Sequence, residues 1–325
     1  MVDYSDGYWW SPDGLRLHYR DYAGGHDGRP PLLCLPGLTR NARDFEPLAA
    51  RLAGDWRLIC PDMRGRAGSA QAKDPMTYVP LTYLQDISRL LADLAITRFV
   101  AVGTSLGGLI TMLVAATHRE WLAGALLNDV GPELDEAGLA RIRTYVGVNQ
   151  SHPSWVHAAR ALEEANRDVY PAYGLDQWLA MAKRLYRLNS AGRIVLDYDM
   201  RIAEPIRAMG SEAGVDMWPV MAAFRDIPTL LLRGERSDLL SAQTAQRMVA
   251  DIGAKAELAT IPDVGHAPAL DEPESIAAIE RLLEHRGSFR GGRGARSGGG
   301  ASATTSVSVR HQGNYILFMS DDGSK

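Results

Sequence analysis

Cysteine is scarce in this chain: two residues among 325, Cys34 and Cys60. That excludes a disulfide-stapled secreted scaffold, and each cysteine ends a short apolar run, as a buried, reduced thiol of a cytoplasmic protein would. No group of cysteines and histidines has the spacing of zinc ligands, so no metal is expected. Positive charge is not in excess either. Lys and Arg total 35 against 39 Asp and Glu, a net charge of −4, so there is no basic footprint for nucleic acid. The first residues, Met1 to Asp6, lack the basic and apolar regions of a secretion signal, which points to the cytoplasm. The most apolar window, Phe99 to Ala116, is broken at Gly103-Thr104-Ser105 and again at Gly107-Gly108, which fits strand, turn and helix better than a membrane span.

What is present is an ordinary globular composition, 46% hydrophobic and 23% charged. The length suffices for one large α/β domain of about 250 residues with an insertion. Tyr8-Trp9-Trp10, a turn at Ser11-Pro12-Asp13-Gly14 and Leu15 to Tyr19 read as an antiparallel hairpin. Strands then alternate with helices. Leu32 to Leu35, Trp56 to Cys60, Phe99 to Val102 and Ala125 to Leu127 are short buried strands. Helical spacing links Phe45, Leu48, Ala49 and Leu52, and then Leu81, Leu84, Ile87, Leu90, Leu91 and Leu94. Such alternation implies a mostly parallel sheet covered on both faces. It stops at Gly131 and resumes at Pro228 to Leu232 and at Ala256 to Ile261. The expected organisation is a core over 1–130 and 216–285, a strand-free helical cap over 131–215, and a disordered Gly/Ser/Arg-rich tail over 286–325. A cap inserted there sits above the carboxyl ends of the strands, where open α/β sheets bind ligands.

The chemistry gathers at those strand ends. Gly103-Thr104-Ser105-Leu106-Gly107 falls between a buried strand and a buried helix, where small flanking residues allow a strained turn to present Ser105 as a nucleophile. A serine hydroxyl needs a base and the base needs an orienting acid. Of eight histidines, only His266 lies in a loop after a core strand. For the acid, Asp238 follows the strand before the histidine strand and is the expected partner. Asp129, ending the strand that follows the elbow, is the alternative; its other reading is a hydrogen-bonding residue at the start of the cap. Glu235 and Asp263 lie near enough to count as further candidates. Two N–H donors must meet the developing oxyanion, and Leu106 and Leu38 are placed to supply them, the latter beside Gly37.

These motifs, with Gly265-His266-Ala267-Pro268 and Asp62-Met63-Arg64-Gly65-Arg66-Ala67-Gly68-Ser69, resemble the α/β-hydrolase superfamily, in its capped bacterial serine hydrolase branch, over residues 8 to 285. Two departures stand out. Pro36 precedes Gly37 where the family commonly has histidine, and Ala67 occupies a usual glycine position in the Asp62–Ser69 loop. Serine at 105 argues against epoxide hydrolases and haloalkane dehalogenases, whose elbow nucleophile is aspartate. The resemblance implies a cofactor-free carboxylic-ester hydrolase (carboxylesterase-like) for small or medium, fairly apolar esters, with no nucleic-acid or membrane partner. Rival readings are a C–C bond hydrolase of aromatic meta-cleavage products, a lactonase or perhydrolase, and, from another class, a slow or non-catalytic ligand-binding receptor.

Overall fold

The computed structural model describes residues 2–25, 28–208, 216–284, 307–312 and 315–320. The chain opens on strands β1 (Ser5–Trp10) and β2 (Arg16–Tyr22), paired antiparallel from Ser5↔Asp21 to Trp10↔Arg16. After β3 (Leu32–Leu35) a single 3₁₀ turn leads into helix α1 (Glu46–Leu52). Asn41 caps that turn, its side-chain oxygen accepting the Arg43 N–H at 3.0 Å. Then follow β4 (Leu58–Pro61), α2 (Pro80–Asp93), β5 (Phe99–Thr104), α3 (Leu106–Thr117) and β6 (Leu122–Asn128).

The insertion carries α4 (Glu136–Tyr145), β7 (Ser151–His152), α5 (Trp155–Asn166), α6 (Leu175–Leu185), β8 (Tyr186–Leu188), β9 (Ile194–Leu196) and α7 (Ala203–Ala208). The core resumes with β10 (Thr229–Gly234), α8 (Ala242–Ile252), β11 (Ala256–Ile261) and α9 (Pro273–Glu284). One eight-stranded sheet results, ordered β1-β2-β4-β3-β5-β6-β10-β11. Both pairings of β2 are antiparallel and the others parallel.

Each central parallel strand sends alternate side chains to opposite faces, and both faces are apolar there, whereas the edge strand β11 is only partly buried. Phe99 and Ala101 of β5 join Ile87, Leu91 and Met248 on one side, whereas Val100 and Val102 join Leu48, Ile279 and Leu282 on the other. Burial on both faces explains why these strands read as continuous apolar runs. Cys34 and Cys60 are buried in this core and unbridged, and burial pushes the Cys60 thiol up. No helix among the described residues is long and apolar enough to cross a membrane.

Two expectations need correcting. The insertion is not free of strands, because β7, β9 and β8 form a small antiparallel sheet. Strands of two or three residues are too short to leave a periodic trace in sequence. The tail is also not wholly without structure. Val307–Gln312 (β12) and Tyr315–Ser320 (β13) pair antiparallel in a separate sheet. The rest of the tail lies outside the described residues, as do residues 209–215 at the end of the insertion.

The Asp62–Ser69 loop ties β4 to the rest of the core. Asp62 accepts the Ala42 N–H at 2.7 Å, the Gly68 N–H at 3.1 Å and the His18 ring at 2.7 Å. Arg64 is paired with Asp86 and Asp13 through four hydrogen bonds of 2.7–2.9 Å. Ala67 keeps the turn that glycine would make, at φ 41°, a left-handed conformation that is costly for alanine. Its N–H donates to Asp197 O at 2.9 Å, so the loop docks on the insertion.

Candidate active site

Strand β5 ends at Thr104 and α3 begins at Leu106, leaving Ser105 alone to turn the chain. It does so at φ 51° and ψ −112°, a region that L-residues occupy only under strain. Gly107 makes the tight crossing possible: a side chain there would run into the Leu35 carbonyl. The Ser105 hydroxyl is 3.0 Å from His266 Nε2. His266 Nδ1 is 2.8 Å from Asp129 Oδ2. An ionised carboxylate only accepts, so Nδ1–H donates to Asp129 and Nε2 is left to accept from the serine.

The acid on His266 is therefore Asp129, and the expectation of Asp238 fails. Strands β6 and β10 are neighbours, with Leu231 opposite Leu127 and Leu232 opposite Asn128, so either strand end reaches this layer. The local turns decide between them. Asp129 sits in the left-handed region at φ 55°, which a short polar side chain tolerates, and is fully buried. Its Oδ1 accepts the Gly234 N–H at 2.9 Å and its Oδ2 accepts the Ser237 hydroxyl at 2.7 Å. The turn after β10 thus aims Ser237 inward and Asp238 outward. There Arg141 of α4 donates Nε and Nη2 to the two Asp238 oxygens at 2.6 and 2.8 Å. Gly138 lets α4 come this close, since a Cβ there would lie 2.6 Å from the Asp238 carbonyl. Arg141 holds the Asp238 carboxyl below the usual carboxylate range, against a smaller opposing effect of burial.

The other acidic candidates serve the loops. Glu235 accepts the Asp263 N–H at 3.0 Å, and Asp263 pairs with Arg236 at 2.6 Å. As for the donors, Leu106 is the first residue of α3, where a backbone N–H has no acceptor within the helix. The Leu38 carbonyl is gripped by Arg66, Nε at 3.0 Å and Nη2 at 2.8 Å. Arg66 is itself buried and also donates to Arg64 O at 2.7 Å and to Tyr83 Oη at 3.0 Å. That brace takes the place of any support from the residue before Gly37, where proline stands.

Ser105 and His266 open onto a cavity of about 290 Å³ between the sheet edge and the insertion, a volume suited to a small ligand. Its walls include Leu38, Ile142, Leu162, Met181 and Leu196. Of the aromatic residues in the insertion, Tyr145, Tyr186 and Tyr198 line it, as does Tyr170. Trp178 is core, packed edge-on to Tyr170 and Tyr173 with ring centroids 6.1 and 5.2 Å away. Tyr170 donates its hydroxyl to Ala267 O at 2.6 Å, beside His266. Sequence reasoning held Arg66 only as part of the Asp62–Ser69 loop, and missed the contacts of Arg141 and Ser237. Ser237 was legible only as the polar neighbour of Asp238, and Arg141 carries no local signal.

Comparisons with known proteins agree with the fold. The profile of the alpha/beta hydrolase family matches residues 32–279. A 3-hydroxybutyrate-oligomer hydrolase of Cupriavidus necator is 34% identical over 281 residues, covering 84% of this chain and 94% of that protein. A 2-(acetamidomethylene)succinate hydrolase of Mesorhizobium japonicum is 25% identical over 273 residues, 83% of this chain and 92% of that one. The crystal structure of an alpha/beta hydrolase from Novosphingobium aromaticivorans superposes with a TM-score of 0.83 at 61% identity, covering 87% of this chain and 99% of that one. With its eight-stranded sheet, serine elbow and matched profile, this chain belongs to the alpha/beta hydrolase family.

Proposed function

We propose that the protein is a serine hydrolase of carboxylic esters, working through an acyl-enzyme on Ser105. The carrying observation is the unbroken relay from Ser105 Oγ through His266 to Asp129, at 3.0 and 2.8 Å, opening onto a ligand-sized cavity. In this reading His266 takes the serine proton as Ser105 attacks the ester carbonyl, and Asp129 orients the ring and stabilises its charge. The N–H groups of Leu38 and Leu106 hold the oxyanion, with Arg66 fixing the Leu38 peptide. The alcohol leaves with the proton from His266, and a water activated by the same ring releases the acid. The insertion acts as a cap that shapes the pocket. Similarity to an enzyme named for hydrolysing 3-hydroxybutyrate oligomers, whose units are joined by ester bonds, supports this class of substrate.

The test is a chain-length series of nitrophenyl esters with wild type and Ser105→Ala, together with fluorophosphonate labelling. Wild type is expected to be labelled at Ser105, and Ser105→Ala to lose activity by about 10⁴-fold or more. A visible meta-cleavage dienoate that decays while the esters persist would move the reaction to C–C hydrolysis. A wild type that neither labels nor turns over any ester would leave only a binding role.

A further inference from the structure

Most buried guanidinium groups in this protein have their donors matched. Arg64 is almost fully buried and makes four hydrogen bonds to two carboxylates. Arg66, equally buried, places its three nitrogens on two carbonyls and a phenol oxygen. Arg184, in the last turn of α6, departs from this pattern. Its side chain is 10% exposed, yet among the described residues it makes no side-chain hydrogen bond, and its Nε is buried without a partner. The nearest acid is Asp44, 4.0 Å from that Nε, too far for a hydrogen bond. Asp44 is already engaged by Arg40, through Nη2 at 2.8 Å and through Nε.

Main-chain contacts hold the Arg184 position firmly. Its carbonyl accepts from Asn41 Nδ2 at 2.9 Å and from Arg43 Nε at 3.0 Å, so the end of α6 is bolted to the turn before α1. Arg184 lines the same cavity as Ser105 and His266. Arg40 and Arg141 line it as well, and Asp44 is the one carboxylate in the wall, while Asp238 neutralises Arg141 from behind. Arg141 is thus neutralised by Asp238, whereas Arg40 and Arg184 share Asp44, hydrogen-bonded to Arg40 and in a 4.0 Å ion pair with Arg184, so the wall carries one positive charge in excess. A buried guanidinium without a hydrogen-bond acceptor is costly, and its planar fork is matched in shape and charge by a carboxylate.

We propose that Arg184 is a substrate-binding residue that receives a carboxylate, so that the esters cleaved at Ser105 are acidic ones carrying a free carboxylate besides the scissile bond. The inference deepens the ester-hydrolase reading and rests on it. A small cavity of mixed polar and apolar walls with an excess positive charge describes a short acid ester rather than a neutral lipid.

The experiment compares the linear dimer of 3-hydroxybutyrate, with its free carboxylate, and the same dimer capped as its N-methylamide. Wild type should favour the acid by ~10–100-fold in kcat/KM, the range for a charge-assisted bidentate contact. In Arg184→Met this ratio should fall toward one, and Arg184→Lys should keep part of it. Calorimetric titration of 3-hydroxybutyrate against 3-hydroxybutyramide reads the same site without turnover. The acid should bind wild type more tightly than the amide, and lose that advantage in Arg184→Met. Equal cleavage of both dimers, or a preference that survives in Arg184→Met, overturns the proposal while the ester reading stands. If neither dimer is cleaved and Ser105 resists fluorophosphonate, the ester reading fails, and the titration alone decides whether Arg184 holds an anion. If Arg184→Met does not fold, the wild-type titration decides, and an acid bound no better than its amide overturns the proposal.

Discussion

Two aspartates stand at the ends of adjacent strands, in one layer of the sheet edge, and they have opposite fates. Asp129, after β6, is fully buried and accepts from His266, Ser237 and the Gly234 N–H. Asp238, after β10, is about one-third exposed and bound by Arg141 of the insertion. Both obey the chain order serine, aspartate, histidine, so order does not separate them. What separates them is which way each loop turns, and what lies beyond it. A carboxylate facing the sheet edge meets the imidazole, and one facing the insertion meets a guanidinium. The sheet edge therefore divides its acids, one bonded to His266 and one anchoring α4.

Neutralising each acid in turn puts that division to the test. Asp129→Asn leaves the shape intact but removes the charge that orients His266, so kcat for a nitrophenyl ester should fall by about 10⁴-fold. If instead Asp238→Asn produced that fall, the assignment of the two acids would be reversed. Ser237→Ala takes away one of the two donors to Asp129 Oδ2, and a decrease in kcat of roughly 10-fold is expected, since one charge-assisted bond is lost with the relay still in place. Steady-state kinetics on the two variants separates the effects.

Asp238→Asn should change kcat by no more than about 3-fold, because Asp238 does not touch the ring. Its effect belongs to stability and to pH. Arg141 lowers the Asp238 pKa in the folded chain, so the stabilisation is present above the unfolded value of about 3.9 and is lost as pH falls through the lower folded value. Melting curves should show wild type above Asp238→Asn at pH 7, by a small margin for a partly exposed pair. The two curves should converge as the pH drops below about 4. A gap that widens in acid would show that the Arg141 contact does not hold Asp238 ionised.

Much of this site was legible before the fold. The apolar runs at Leu32 to Leu35 and Phe99 to Val102 marked the central strands, since strands buried on both faces have no polar side to break the pattern. Between strand and helix, Gly103-Thr104-Ser105-Leu106-Gly107 marked the elbow, because a turn so tight admits small residues at its flanks. His266 stood out as the one histidine after a core strand. Sequence left the acid wrongly ranked, because two loops with nearly the same local grammar differ only in the direction a carboxylate takes. It also gave no sign of the strands in the insertion, whose two or three residues carry no period.

The sequence by itself determined the covered parallel sheet, the strained serine and the histidine loop, all set by local pattern and by the steric limits of single residues. Only the tertiary structure decided that Asp129 takes the ring while Asp238 takes Arg141, that Arg66 braces the Leu38 peptide, and that Arg184 lines the cavity with its Nε lacking a hydrogen-bond partner among the described residues. Each of those outcomes depends on pairs more than 25 residues apart in the chain. Which donor meets which acceptor at that range is fixed by packing, and no local window contains it.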